Sequence, residues 1–147
     1  MYSNSSDDCP ARRLLGAAFD VLHDEAHDHH ERVRTSLAAL PVNVTVGDES
    51  LAPRLAHGRL VAGDPREAAR VAIRTSLATV LALLDGRRTV LEAITRGELE
   101  VRGTADALDA AADAFAGFLH GLVRSPSSPG LLVQLRDVVG SAPGARP

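Results

Sequence analysis

Between Leu40 and Val42 the spacing of apolar residues changes, and this change constrains the fold more than any other feature of the chain. Before it, Leu15, Phe19, Leu22, Ala26, Val33, Leu37 and Leu40 follow one another at steps of three, four or seven. Such steps lay one apolar stripe along a helix, predicted here from Ala11 to Leu40. The opposite face carries Asp20, His23, Asp24, His27, Glu31 and Arg34. Pro41 ends the helix, because it has no N–H to continue the hydrogen-bond ladder. After it, Val42, Val44 and Val46 alternate with Asn43 and Thr45, the period of a half-buried strand.

The period of two recurs downstream. Gly47 to Ser50 reads as a turn. Ala52 to Ala56 reads as a second strand, held to an edge or irregular position by Pro53. His57-Gly58 fits a two-residue hairpin turn, and Arg59 to Gly63 is the returning strand. Arg70 to Thr75 and Glu98 to Gly103 complete the strands. Between them, Ser76 caps a helix from Leu77 to Asp85 that stops at Gly86. Thr89 and Glu92 have the spacing of a capping box for a second, short helix ending at Gly97. Thr104 caps a helix to about Val123. Ser125 to Gly130 reads as a hinge-like loop, and Leu131 to Val139 as a last amphipathic helix. Strands and helices are segregated, so the expected class is α+β: a mostly antiparallel five-stranded sheet with helices covering one face. The 147 residues fit a single domain, expected over 11–140, with flexible ends at 1–10 and 141–147.

Composition narrows the function. The net charge is -3, which argues against a nucleic-acid partner, and aromatics at 3% leave almost no stacking platform. All basic residues are arginine, so there is no Schiff-base or phosphate-loop lysine. Met1 to Arg13 lacks the apolar core of a signal peptide, and no apolar run approaches the roughly 18 residues of a membrane span. The expected location is the cytoplasm. Cys9 is the only cysteine, so it forms no internal disulfide, and it has no histidine near it in sequence. There is no G-x-S-x-G, glycine-rich phosphate loop or C-x-x-C. The run HDEAHDHHE, His23 to Glu31, places His23 and His27 four apart on one helix face, a spacing from which two rings can meet one metal. Yet HDEAH is not H-E-x-x-H, and a solvated acidic face explains the run without a ligand. No metal and no cofactor are expected. His29 falls at the border of the apolar stripe, where it can pack against the sheet.

The run TSLATVLALLDGRRTVLEAITRGELEVRG, Thr75 to Gly103, resembles the sterol carrier protein type-2 family. Ser76, Leu81, Leu84, Gly86, Ala93, Gly97, Leu99, Val101 and Gly103 stand at that family's landmarks without gaps. Upstream, LAHGRLVAGDPREAARVAIRTS is similar to its hairpin and following strand, with His57-Gly58 in place of an Asn-Gly turn. Val90 departs from the pattern, where the family often has proline. The resemblance covers about Val42 to Leu122 and implies an aliphatic tunnel between sheet and helices that holds acyl chains, acyl-thioesters or sterols. The implied lining is Val44, Val46, Val71, Ile73, Leu81, Leu84, Ile94, Leu99, Val101, Phe115, Phe118 and Leu122, with His120 placed to bond a ligand head group and the helix from Leu131 as a movable lid. Outward Arg70, Arg74 and Arg102 either meet a carboxylate or phosphate head or pair with acids such as Glu98 and Glu100.

The expected partner is therefore a hydrophobic small molecule: a fatty acyl chain, a sterol-like or a polyketide-like compound. The chain would serve as its carrier or accessory protein. Two alternatives remain open at this point. One is a small enzyme that uses the apolar cavity for cyclisation or isomerisation, for which no catalytic residue is assigned. The other is a non-catalytic module that forms a homodimer.

Overall fold

The computed structural model describes residues 9–141. Helix α1 (Pro10–Glu25) and helix α2 (His27–Ala38) open the chain. Strands β1 (Val42–Val46), β2 (Glu49–Ala56), β3 (Arg59–Gly63) and β4 (Val71–Thr75) follow. Then come α3 (Leu77–Leu84), α4 (Val90–Thr95), β5 (Glu100–Gly103), α5 (Ala105–Arg124) and α6 (Ser128–Ser141). The architecture is α+β, with a five-stranded sheet in the order β3-β2-β1-β4-β5. Three strand pairs are antiparallel, and the central pair, β1 with β4, is parallel. The chain leaves β1, makes the β2–β3 hairpin on one side, and returns to β4 on the other. Asn43 fastens that return: its Oδ1 accepts from Arg66 N–H at 2.7 Å and its Nδ2 donates to Arg66 O at 2.9 Å.

The single long helix expected over Ala11–Leu40 is two helices. The break is at Ala26, with φ -140° and ψ 57°. A straight helix of that length would span about 45 Å at 1.5 Å per residue, longer than the sheet it has to cover. Bending lets α1 pack on β3 while α2 packs on α5. Pro10 occupies the first turn of α1, where a missing N–H is harmless. Among the described residues, no side chain next to it in sequence caps this helix. Instead the Glu49 carboxylate, from the start of β2, accepts from Ala11 N–H at 3.0 and 3.1 Å and from Arg12 N–H at 3.3 Å. An anion is favourable at that helix end.

The other boundaries follow local chemistry. Ser76 Oγ accepts from Thr79 N–H, Thr104 Oγ1 accepts from Ala107 N–H, and Thr89 and Glu92 form a complete capping box. His57 and Gly58 both have positive φ, 55° and 79°, as a type I′ hairpin turn requires. Strand β2 starts three residues earlier than its apolar pattern indicates, and its pairing with β1 runs only from Glu49 to Leu51, stopping short of Pro53. The Ser125–Gly130 loop is also shorter than expected, since α6 begins at Ser128. Nor is it slack: Ser125 is buried and its hydroxyl donates to Gly121 O at 2.8 Å. The expected flexible ends lie outside the described residues, apart from Cys9, Pro10 and Ser141.

Candidate functional site: an apolar cavity under α6

The inner face of the sheet presents Val42, Val44, Val46, Leu51, Val71, Ile73 and Val101. Several of these are only half-buried although they point inward, because a cavity of about 470 Å³ separates them from the helices. The floor is Val44, Val46, Leu51 and Ile73. One wall is α1 and α2, through Leu15, Ala18, Phe19, Val33 and Leu37. The facing wall is α5, through Ala114, Phe115, Phe118 and Leu122. α3 contributes Leu77, Val80 and Leu84, and α6 closes the top with Leu131, Leu132 and Leu135. Phe19 and Phe118 meet edge to face with ring centroids 5.6 Å apart, which braces α1 against α5.

Among the described residues the lining carries no ionisable side chain. Its polar members are Thr75 and Ser128, and the Thr75 hydroxyl already donates to Glu98 O at 3.0 Å. Such a surface rejects a buried charge, since nothing inside would replace its water. The cavity is partly open. α6 packs on α1 and α3 but barely touches α5, and Val123, which lines the cavity, is 75% exposed.

α6 is held at its edges by polar contacts. The Glu25 carboxylate accepts from Ser127 N–H at 2.8 Å and from the Ser127 hydroxyl. Arg136 donates to the Asp85 carboxylate at 2.6 Å. These contacts lie at the surface, so water competes for them and each is worth little.

Of the residues expected to line a tunnel, Val44, Val46, Ile73, Leu84, Leu99, Phe115, Phe118 and Leu122 lie on the cavity wall. Five do not. Val71 and Val101 share the inward face, but they are packed with Leu40, Ala107 and Leu108 at the end of the sheet that α5 covers closely. Leu81 is buried one position round α3 from the Leu77–Val80–Leu84 row that faces the cavity. Ile94 is 45% exposed, because in the short α4 it is Ala93 that turns inward, with no exposure at all. His120 is exposed, since α5 turns Gly117 and Gly121 inward on either side of it. It is not placed to meet a head group inside. The lining from α1 and α2 lies outside that expectation, although the Leu15–Phe19 and Val33–Leu37 pairs that supply part of it form the apolar stripe; α6, expected as a lid from Leu131, closes the top.

The outward Arg74 and Arg102 line one pocket with Glu100. Arg102 meets Glu100 at 3.5 Å, Arg88 takes Glu98 at 2.8 Å, and Arg74 stands across from Glu100 in the β4–β5 register. The histidines of the α1–α2 corner also gather. The rings of His23, His27 and His30 lie with centroids 4.9 to 6.1 Å apart. His27, His30 and Glu31 bring ligand-capable atoms within 4.8 Å of one another. His30 is nevertheless unsuited to hold an ion: its Nε2 accepts from Leu60 N–H at 3.2 Å, which places its proton on Nδ1, the nitrogen facing Glu31. It is His30, not His29, that is buried in this corner; His29 packs half-buried beside Gly121. Burial holds the His30 ring below the usual histidine range. Glu31 lies below the usual carboxylate range, chiefly through its hydrogen bond from Arg34.

Several solved structures show a partial likeness to the chain. The chain is similar to sterol carrier proteins. A crystal structure of sterol carrier protein 2 matches at 23% identity with a TM-score of 0.49, over 75% of this chain and 93% of that one. A solution structure from Thermus thermophilus, described as a possible sterol carrier protein, matches at 25% identity and 0.47, over 79% and 90%. The stereoselective inverting sec-alkylsulfatase of a Pseudomonas species matches at 19% identity and 0.40, over 55% of this chain. This chain spans only 12% of that enzyme's length. No protein-family model matches the chain, and no curated protein matches it. None of these likenesses says what this chain binds.

Proposed function

We propose that this protein binds a hydrophobic small molecule in the cavity under α6, as a cytoplasmic carrier or accessory protein. The observation that supports this reading is the lining: about 470 Å³ of interior space walled by aliphatic and phenyl side chains without a charge. A space of that size is within the range of small-molecule sites. At a liquid-like share of about 30 Å³ per heavy atom it holds roughly fifteen of them. That suits a medium-length acyl chain, or a compact polyketide-like skeleton, better than a whole sterol. Each methylene taken from water contributes about 0.8 kcal/mol, so a chain of about a dozen carbons gains near 10 kcal/mol gross, before the cost of association. No polar anchor is needed for useful affinity. A charged head group, where the guest has one, stays outside the lining and projects from the open side near Val123.

The enzymatic alternative required polar groups converging on the guest. His120 faces solvent, and the Thr75 hydroxyl is engaged by Glu98 O. Carriage is therefore the better-supported reading. Native mass spectrometry of freshly purified protein, followed by solvent extraction, tests it. The expected result is an adduct that disappears on extraction and yields an aliphatic compound. A bare chain mass, with no uptake of added fatty acid or of diphenylhexatriene, would remove the reading.

A further inference from the structure

His30 is the only fully buried histidine of the six in the chain, and its two ring nitrogens have different tasks. Nε2 accepts the N–H of Leu60, in the edge strand β3, at 3.2 Å. Nδ1–H points to Glu31 Oε2 at 3.3 Å. A neutral ring serves both contacts. A charged ring carries a hydrogen on each nitrogen, so in this fully buried place Nε2–H would face Leu60 N–H.

The surroundings offer little compensation. From α1, His23 lies against the ring at 4.9 Å between centroids, with Asp24 bonded to His23 and Asp20 to Arg59. From α2, His27 stacks at 6.1 Å, and Glu31, the one acid bonded to the ring among the described residues, is shared with Arg34 at 2.7 Å. From β3 the charged neighbour is Arg59, next to Leu60. α5 meets the corner through Gly117 and Gly121, which carry no charge. Any charge on His23 or His27 opposes a further one on His30.

We propose that His30 is an acid-sensitive fastening between α2 and β3, and that its protonation loosens the α1–α2 wall of the cavity and frees the guest. The corner is linked to the top of the cavity as well, because Glu25, the last residue of α1, holds Ser127, the residue before α6. The release step rests on the proposed function; the fastening itself does not. Burial keeps the folded ring neutral at a pH where the unfolded chain takes up a proton. The stability that His30 contributes is thus complete above about pH 6.5 and declines as the pH falls through that value, until the folded ring itself is charged.

Nuclear magnetic resonance of the ¹⁵N-labelled protein tests this, following the His30 ring nitrogens and Leu60 amide exchange from about pH 7.5 to about pH 5. Bound diphenylhexatriene, which does not titrate, reports the cavity. Leu60 protection and probe retention should fall together, by up to tenfold per pH unit for one linked proton. His30→Gln offers Leu60 an acceptor that cannot be charged, and should hold both readouts level. Protonation of the ring with Leu60 still protected would overturn the proposal without recourse to any variant. So would a parallel decline in His30→Gln. If the probe fails to bind even at the higher pH, the carrier reading falls, and with it the release step, while Leu60 exchange still decides the fastening.

Discussion

The inner face of the sheet has a closed end and a hollow end, built from the same kinds of residue. At the closed end Leu40 and Val71 lie against Ala107 and Leu108, and Val71 is 1% exposed. Gly103 belongs to this end: a Cβ there would lie 2.8 Å from Arg70 O. At the hollow end Val44 and Ile73 look across open space to Phe115, Phe118 and Leu131. The difference lies in the helices. Alanine at positions 107 and 111 lets the first half of α5 settle on the strands, whereas the phenylalanines of its second half meet the sheet from a distance. Apolar spacing tells which face is inward; the bulk of the facing residues tells whether that face is filled.

The comparison is open to direct attack. The largest contrast is expected from leucine truncation. Leu40→Ala removes packing on all sides and should cost about 2–5 kcal/mol by urea denaturation. Leu84→Ala removes one side of a wall already facing empty space and should cost nearer 1 kcal/mol. Equal losses would mean that the two ends are packed alike. A smaller contrast lies along α5. At Gly121 an added Cβ would meet Leu22 at 2.6 Å and the His29 Cβ at 2.8 Å, so Gly121→Ala should cost about 1–3 kcal/mol. At Gly117 the nearest atom is a Val33 methyl at 3.4 Å. Gly117→Ala should therefore be close to neutral, because the helix gains roughly what the contact loses. The smallest effect on stability, and the most informative for function, is expected from Val44→Phe. It adds bulk to the hollow end and should shift stability by less than about 1 kcal/mol. Diphenylhexatriene binding, read by fluorescence, should weaken severalfold in the same variant. A large loss of stability with binding unchanged would place the empty space elsewhere.

Most of the element order was legible, and the reasons are local. Ser76, Thr89 and Thr104 each stand where a helix needs an acceptor for its first free N–H groups, and His57-Gly58 carries the backbone signs of its turn. What was not legible depends on distant partners. The bend at Ala26 follows from what α1 and α2 each pack against. The cap on α1 comes from Glu49, 38 residues away. The burial of His30 needs β3 beside it before Leu60 can donate. The same holds for the cavity. Val44 and Val71 are indistinguishable along the chain, both inward and both β-branched, and only the helix above each decides which of them faces a void. Ile94 and Ala93 show the opposite difficulty, where the larger apolar residue was the natural choice for the interior and the smaller one fills it.

The scarcity of polar groups in the lining has its own consequence. With the Thr75 hydroxyl engaged by Glu98 O, the Ser128 hydroxyl at the start of α6 is the other polar side chain of the lining among the described residues, so little inside fixes which way round a guest lies. On the proposed reading, a guest would then be graded by girth and flexibility rather than by chemical identity, and one molecule could lodge in several poses of nearly equal energy. Discrimination between similar compounds would fall to whatever presents or removes them at the rim, the cavity itself setting only a size limit.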